Sequence, residues 1–193
     1  IMGKIIAVVN QKGGVGKTTS AVNLTAALKE AGKRVLLCDF DPQANATSGL
    51  GLEKRKIKHS VYDVTINGVS AADAIVHTKF GDVLPSHADL AGAGVELLSV
   101  PDPNHRLGRA LKEVKDKYDV IFIDCPPSLE LLTLNGLCAA TSVIVPVQGE
   151  YYALEGLSQL MDTLRMVRQS INPMLDIEGI LLTMYDGRTN LSL

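Results

Sequence analysis

The run Ile5-Ile-Ala-Val-Val9 passes directly into Asn10-Gln-Lys-Gly-Gly-Val-Gly-Lys-Thr-Thr19, and this junction decides the fold. Five apolar, mostly β-branched residues in succession predict a strand buried on both faces. Beyond the loop, Ala21, Leu24, Thr25 and Leu28 recur at helical spacing until Gly32 stops the pattern, and Arg34-Val-Leu-Leu-Cys38 opens a second buried strand. The result is a βαβ unit whose glycine-rich turn sits at a helix N-terminus. There Gly13, Gly14 and Gly16 let backbone N–H groups curl around phosphate oxygens, and the helix end adds partial positive charge. In that setting Lys17 is the cation for β and γ phosphates and Thr18 the hydroxyl for Mg²⁺, with Lys12, Val15 and Thr19 completing the nucleotide-binding segment. A plain connecting turn would not need the lysine and paired threonines at these offsets. A dinucleotide fingerprint starting at Gly14 would need glycine or alanine where Thr19 stands.

The pattern continues along the chain. Val120-Ile-Phe-Ile-Asp124, Ser142-Val-Ile-Val-Pro-Val147 and Ile177-Glu-Gly-Ile-Leu-Leu-Thr183 predict further buried parallel strands. Helices are expected at about 105–117, from near Ser128, and at about 151–171, where Leu154, Leu157, Met161, Leu164 and Val167 form a stripe ending before Asn172-Pro173. The irregular region 49–104 is expected to hold short helices and one extra strand. Strands alternating with helices, without repeats or low-complexity tracts, predict one α/β domain over 2–193: a doubly wound, mostly parallel sheet of the P-loop NTPase kind, with helices on both faces and ligands at the carboxyl ends of the strands.

Composition narrows the function classes. With 19 Lys+Arg against 21 Asp+Glu the net charge is -2, so any nucleic-acid contact must come from a local patch. Cys38, Cys125 and Cys138 lack Cys-x-x-Cys spacing, which argues against a disulfide framework or a zinc or iron-sulfur site and fits a cytoplasmic protein. No apolar run approaches the roughly 20 residues a spanning helix needs, and no stable membrane association is expected. Ile1 ahead of Met2 reads as an added residue, and the stop at Leu193, just after Tyr185-Asp-Gly-Arg-Thr-Asn190, reads as a C-terminal truncation.

Three carboxylates stand where a phosphate chemistry would use them. Asp124 ends an apolar strand, the Walker B arrangement, within reach of Mg²⁺ through water. Asp39 and Asp41 follow the second strand where a switch loop would begin, facing the phosphates if that strand lies near the first; Asp41-Pro42 is equally a turn opener. Pro126-Pro127 stiffens a segment able to sense a γ-phosphate, and Cys125 reads as a small buried residue. Lys54-Arg55-Lys56 with Lys58 is the one dense basic run and reads as a solvated loop.

Position 11 is Gln where the usual loop pattern has glycine, and Lys12 is an additional lysine. Lys12-Gly-Gly-Val-Gly-Lys-Thr-Thr19, Asp39-Phe-Asp-Pro-Gln-Ala-Asn45 and Asp124-Cys-Pro-Pro-Ser128 together resemble the ParA/Soj partitioning ATPases, within the class that contains MinD. Asn45-Ala-Thr-Ser-Gly-Leu50, the stretch 146–156 and Met184-Tyr-Asp-Gly-Arg-Thr-Asn190 look like the same family. The resemblance implies ATP and Mg²⁺ as ligands with ADP as product, and a homodimer formed on ATP. In it Lys12 reaches the partner's phosphates, Asp41 orients the attacking water and Asp39 supports the Mg²⁺ shell. It further implies non-specific DNA binding, nucleoid association in the ATP state and stimulation by a ParB-type centromere-binding protein, with Arg188 a candidate DNA contact. The family's main basic surface and the segment that holds adenine would lie mostly beyond Leu193. Rival readings within the fold are a MinD-like membrane-cycling ATPase, an iron-sulfur carrier, which should show paired cysteines, and a ligase of the dethiobiotin synthetase type, which would not need Lys12 acting in trans.

Overall fold

The computed structural model describes residues 3–149 and 153–185. Within them lie β1 (Lys4–Val8), β2 (Val35–Asp39), β3 (Val76–Thr78), β4 (Gly81–Leu84), β5 (Val120–Asp124), β6 (Ser142–Gln148) and β7 (Asp176–Thr183). They form one sheet in the order β3-β4-β2-β5-β1-β6-β7. All pairings are parallel except that of β3 with β4. The five strands read from the sequence are all present. The single extra strand expected in 49–104 is instead a hairpin of two, whose inner member β4 joins the parallel sheet beside β2.

Among the described residues the α-helices are α1 (Lys17–Glu30), α2 (Asn45–Gly49), α3 (Ala71–Ala74), α4 (Leu90–Leu97), α5 (Arg106–Lys112), α6 (Leu131–Ala139) and α7 (Ala153–Ser170). Alternate strand residues enter different cores, as the two-residue strand period requires. Ile6 and Val8 of β1, Val35 and Leu37 of β2 and Phe122 of β5 pack with Ala21 of α1 and Ala46 of α2. Ile5, Ala7, Leu36, Cys38, Ile121 and Ile123 point the other way, onto Leu97, Leu107, Leu111, Leu137, Leu160 and Leu164 from α4 to α7. Burial on both faces explains why these strands read as unbroken apolar runs rather than alternations.

Several boundaries differ from expectation. The helix expected at 105–117 is α5 followed by a separate 3₁₀ turn at Lys115–Lys117. The helix expected from near Ser128 begins at Leu131, because 126–130 forms a loop in which the Ser128 N–H donates to the Pro126 carbonyl at 2.9 Å. The second strand runs Val35–Asp39, so Asp39 is its last residue rather than part of the loop. In the stripe of α7, Leu164 and Val167 are buried, joined by Leu160, while Leu157 and Met161 are partly covered; the Leu154 side chain lies outside the described residues.

Strand order settles what the sequence left conditional. β2 is not beside β1, because β5 lies between them and pairs with both. The two registers place Asp124 level with Val8 on one side and with Asp39 on the other.

Candidate functional site

The loop between β1 and α1 is held open by backbone geometry. Gly14 and Gly16 have φ of 74° and 89°, left-handed values that disfavour a side chain. A Cβ on Gly13 or Gly14 would meet nothing within 4 Å, so that side of the loop faces free space. Gly16 caps α1 without any side-chain hydrogen bond, which leaves the first N–H groups of the helix to an external acceptor.

Distant parts of the chain clamp this loop. Asn10 donates from Nδ2 to the Pro146 carbonyl at 2.7 Å, and its Oδ1 accepts the Lys12 N–H at 2.9 Å. Gln11 donates from Nε2 to Gln159 Oε1 at 2.7 Å, and Thr183 donates from Oγ1 to the Val15 carbonyl at 2.7 Å. Lys17 is 7% exposed and its Nζ donates to the Lys12 carbonyl at 2.9 Å. Burial holds its ammonium below the usual lysine range, while Asp124 and Asp41 oppose that shift. The Lys17 charge is therefore pre-positioned inside the loop.

The carboxylates converge on the same place. Asp39 and Asp124 are both fully buried at the carboxyl ends of adjacent strands. Burial pushes Asp39 up to about 6, against the hydrogen bonds it receives from Thr47 and Asp41. Burial, with the nearby Asp39 charge, pushes Asp124 up to about 7. Neither oxygen of Asp124 has a partner in bonding geometry among the described residues, although the Thr18 hydroxyl and Lys17 lie near enough to favour its charged form. A buried carboxylate without a partner, beside a hydroxyl and an ammonium, is the donor chemistry a hard divalent cation needs. Among the described residues no three or more His, Cys, Asp or Glu side chains gather to enclose a metal. A magnesium ion here would take most of its shell from water and phosphate oxygens.

Asp41 is 8% exposed, and its Oδ1 accepts the Gln43 N–H at 2.9 Å. Its carbonyl accepts the Ala44 N–H at 2.9 Å, and Ala44 has φ of 51°. The turn reading of Asp41-Pro42 thus holds, and the turn keeps the carboxylate close enough to Lys17 to offset part of the lowering that burial imposes on the ammonium. Cys125 is 1% exposed and burial raises its thiol well above the usual range, as expected of a packing residue. Lys54–Lys56 forms an exposed 3₁₀ turn: Lys54 donates to the Gln43 carbonyl at 2.5 Å and Lys56 pairs with Glu53 at 2.8 Å. Arg188 lies outside the described residues.

Sequence reading missed the clamps Asn10, Gln11 and Thr183, and missed Thr47 beneath Asp39. Asn10 and Gln11 adjoin the motif, which was the available signal; Thr183 and Thr47 carried none beyond their place at a strand end and in a motif stretch. A separate cleft of about 640 Å³, lined by His105, Arg109, Lys112 and Cys138, opens near Ile5 at the opposite end of the sheet and includes none of these residues. No helix among the described residues is long and apolar enough to cross a membrane.

Comparison with known proteins places this geometry. Residues 3–177 match the family described as AAA domain. The chain is 57% identical over 194 residues to the sporulation initiation inhibitor protein Soj of Bacillus subtilis, covering 100% of this chain and 77% of that protein. Among solved structures, cobyrinic acid a,c-diamide synthase from Mycobacterium smegmatis with bound ADP and magnesium has a TM-score of 0.94 at 46% identity, covering 99% of this chain and 78% of that one. The same protein has been solved with an ATP analog and magnesium. A plasmid partition protein from Borrelia burgdorferi has a TM-score of 0.85 at 28% identity, covering 100% of this chain and 82% of that one. Identity of this extent along the whole chain reflects common descent as well as common fold: the chain belongs to the ParA/Soj family of chromosome partitioning ATPases.

Proposed function

We propose that the chain is an ATP-driven DNA-partitioning switch that binds Mg²⁺ and ATP at residues 12–19, dimerises on ATP, binds DNA without sequence preference and hydrolyses the nucleotide slowly. The observation that carries this reading is the convergence of Asp39 and Asp124, register partners on neighbouring strands, with the buried Lys17 below an open glycine loop. The neighbour holding ADP and magnesium, and the same protein holding an ATP analog and magnesium, support the choice of ligand.

Each residue then has a physical task. Backbone N–H groups of Gly13, Gly14, Val15 and Gly16 and of the N-terminus of α1 donate to the phosphate oxygens, with Thr19 in the first helical turn. Lys17 supplies a cation already desolvated by the protein, so its field acts at low local dielectric. Thr18, Asp124 and Asp39 would hold the magnesium ion, which would offset charge on the phosphate oxygens. Asp41 orients the attacking water and accepts its proton. Lys12 reaches the phosphates of a second copy in a nucleotide-sandwiched homodimer, which makes hydrolysis depend on dimerisation. Loops after β2 and β5 change order with the γ-phosphate, and that change gates DNA binding and the response to a ParB-type partner. Arg188 is a candidate DNA contact, and association with the nucleoid in the ATP state follows from DNA binding.

The name of the Mycobacterium smegmatis neighbour favours a second reading, an ATP-using synthase that forms amides from a carboxylic acid. The Bacillus subtilis partitioning-family relative, 57% identical against 46% for that neighbour, weighs against it. The partitioning reading fits better. Its test is retention of the full-length Asp41→Ala protein, with the segment that follows Leu193 in its relatives, on random duplex DNA with ATP or ADP at one fixed low salt concentration. Retention with ATP alone, abolished by adding Lys12→Ala, is expected. An ATP-dependent dimer that ignores DNA would refute the partitioning role and turn attention to membranes and small carboxylates.

A further inference from the structure

Thr47 is fully buried in α2, directly beneath the end of β2. Its hydroxyl and its backbone N–H both donate to Asp39 Oδ2, each at 2.7 Å. The same hydroxyl oxygen accepts the Ser86 N–H at 3.0 Å, from the loop that follows β4. The side chain thus uses its one donor on the carboxylate and a lone pair on a third segment. Asp39 Oδ2 is occupied by these two bonds. Among the described residues Asp39 Oδ1 receives only the longer bond from the Asp41 N–H at 3.3 Å, which leaves it the oxygen free to engage the shell of an ion.

We propose that Thr47 is a positioning residue for the magnesium-dependent state of the site: it fixes the rotamer of Asp39 and ties that carboxylate to the loop at Ser86. The proposal rests on the nucleotide reading given above and extends it to a residue that touches neither phosphate nor metal. The physical reason is economy of donors in a buried place. Asp39 is a fully buried carboxylate with no cation bonded to it among the described residues, so its orientation depends on the few N–H and O–H groups that reach it. Replacing the hydroxyl by a methyl group leaves one of the two bonds to Oδ2 and strips the Ser86 N–H of its acceptor. Asp39 is then free to turn, and the magnesium shell loses a defined contact, while the loop at 12–19 that binds phosphate through its backbone is untouched.

The experiment measures binding of a fluorescent ATP analogue to the unmodified protein, Thr47→Val, Thr47→Ser and Thr47→Ala, as magnesium is titrated and again in EDTA. The valine variant is expected to need about tenfold more magnesium for half-maximal binding, of the order expected for losing a hydrogen bond to a charged group. Its magnesium-free affinity should stay within about twofold of the unmodified protein. Serine, which restores the hydroxyl, should return the magnesium requirement to within about twofold. Alanine, which suits a helix and admits water in place of the hydroxyl, supplies a folded variant if valine does not fold, and should show a rise between those of serine and valine. An unchanged magnesium requirement in folded valine or alanine variants overturns the proposal, as does serine behaving like valine. Equal loss of affinity with and without magnesium would show a merely structural role and also overturns it. Absence of any magnesium-dependent nucleotide binding in the unmodified protein instead defeats the functional reading itself.

Discussion

Replacing Asp124 by Asn should stabilise the nucleotide-free protein while disabling it. The carboxylate is fully buried, has no partner in bonding geometry and is pushed up to about 7 in the folded chain. In the unfolded chain it titrates near the ordinary value of about 3.9. A carboxyl whose folded pKa is raised favours folding only while protonated. Its penalty is absent below the unfolded value, grows as pH rises from about 4 to about 7, and is constant above that. The difference between those two values corresponds to at most roughly 4 kcal/mol at pH 8. A realistic gain for Asp124→Asn is about 2–3 kcal/mol at pH 8, falling to about 1 kcal/mol at pH 5 and vanishing below pH 4. For a chain of this size that is a rise in Tm on the order of 5–10 °C at pH 8. The assay is thermal and urea unfolding in EDTA, without nucleotide, at pH 8, 6 and 5. With ATP and magnesium the order should reverse, because only the unmodified protein gains stability from the bound ion. A variant less stable than its parent at pH 8 without ligand, or a difference independent of pH, would refute the claim that burial of the Asp124 charge outweighs its attraction to Thr18 and Lys17.

Other changes test other parts of the argument. Gly16→Ala forces a side chain into φ of 89° and to 3.4 Å from Thr183 Cγ2; a cost of about 1–3 kcal/mol and a loss of nucleotide affinity beyond tenfold are expected from urea unfolding and nucleotide titration. Gly136→Ala would put a Cβ 2.8 Å from Cys125 Sγ, where α6 presses on the end of β5; overpacking should cost about 1–3 kcal/mol, and the added Cys125→Ala should recover at least half, measured as a double-mutant cycle. Asp41→Ala should leave ATP binding intact within about threefold while reducing hydrolysis a hundredfold or more, read by single-turnover phosphate release, because the residue acts on water rather than on phosphate.

The primary sequence determined where phosphate chemistry sits. Strand, loop and helix from Ile5 to Leu28 could be read locally, because burial on two faces writes an apolar run, a helix writes a 3.6-residue period, and the glycines at 13, 14 and 16 have few other uses beside Lys17 and Thr18. Asp124 was legible for the same reason, as the polar end of an apolar strand. The tertiary structure alone decided that β5 lies between β1 and β2, and so that Asp39 stands level with Asp124 rather than beside the first strand. It alone set Asn10 on Pro146, Gln11 on Gln159, Thr183 on Val15 and Thr47 on Asp39 and Ser86. Local periodicity reports which face of a strand is buried and nothing about which strand lies next to it. Strand order and side-chain clamps are long-range pairings, fixed only when the whole sheet closes its two cores, and they turn a readable phosphate loop into a site with aligned carboxylates.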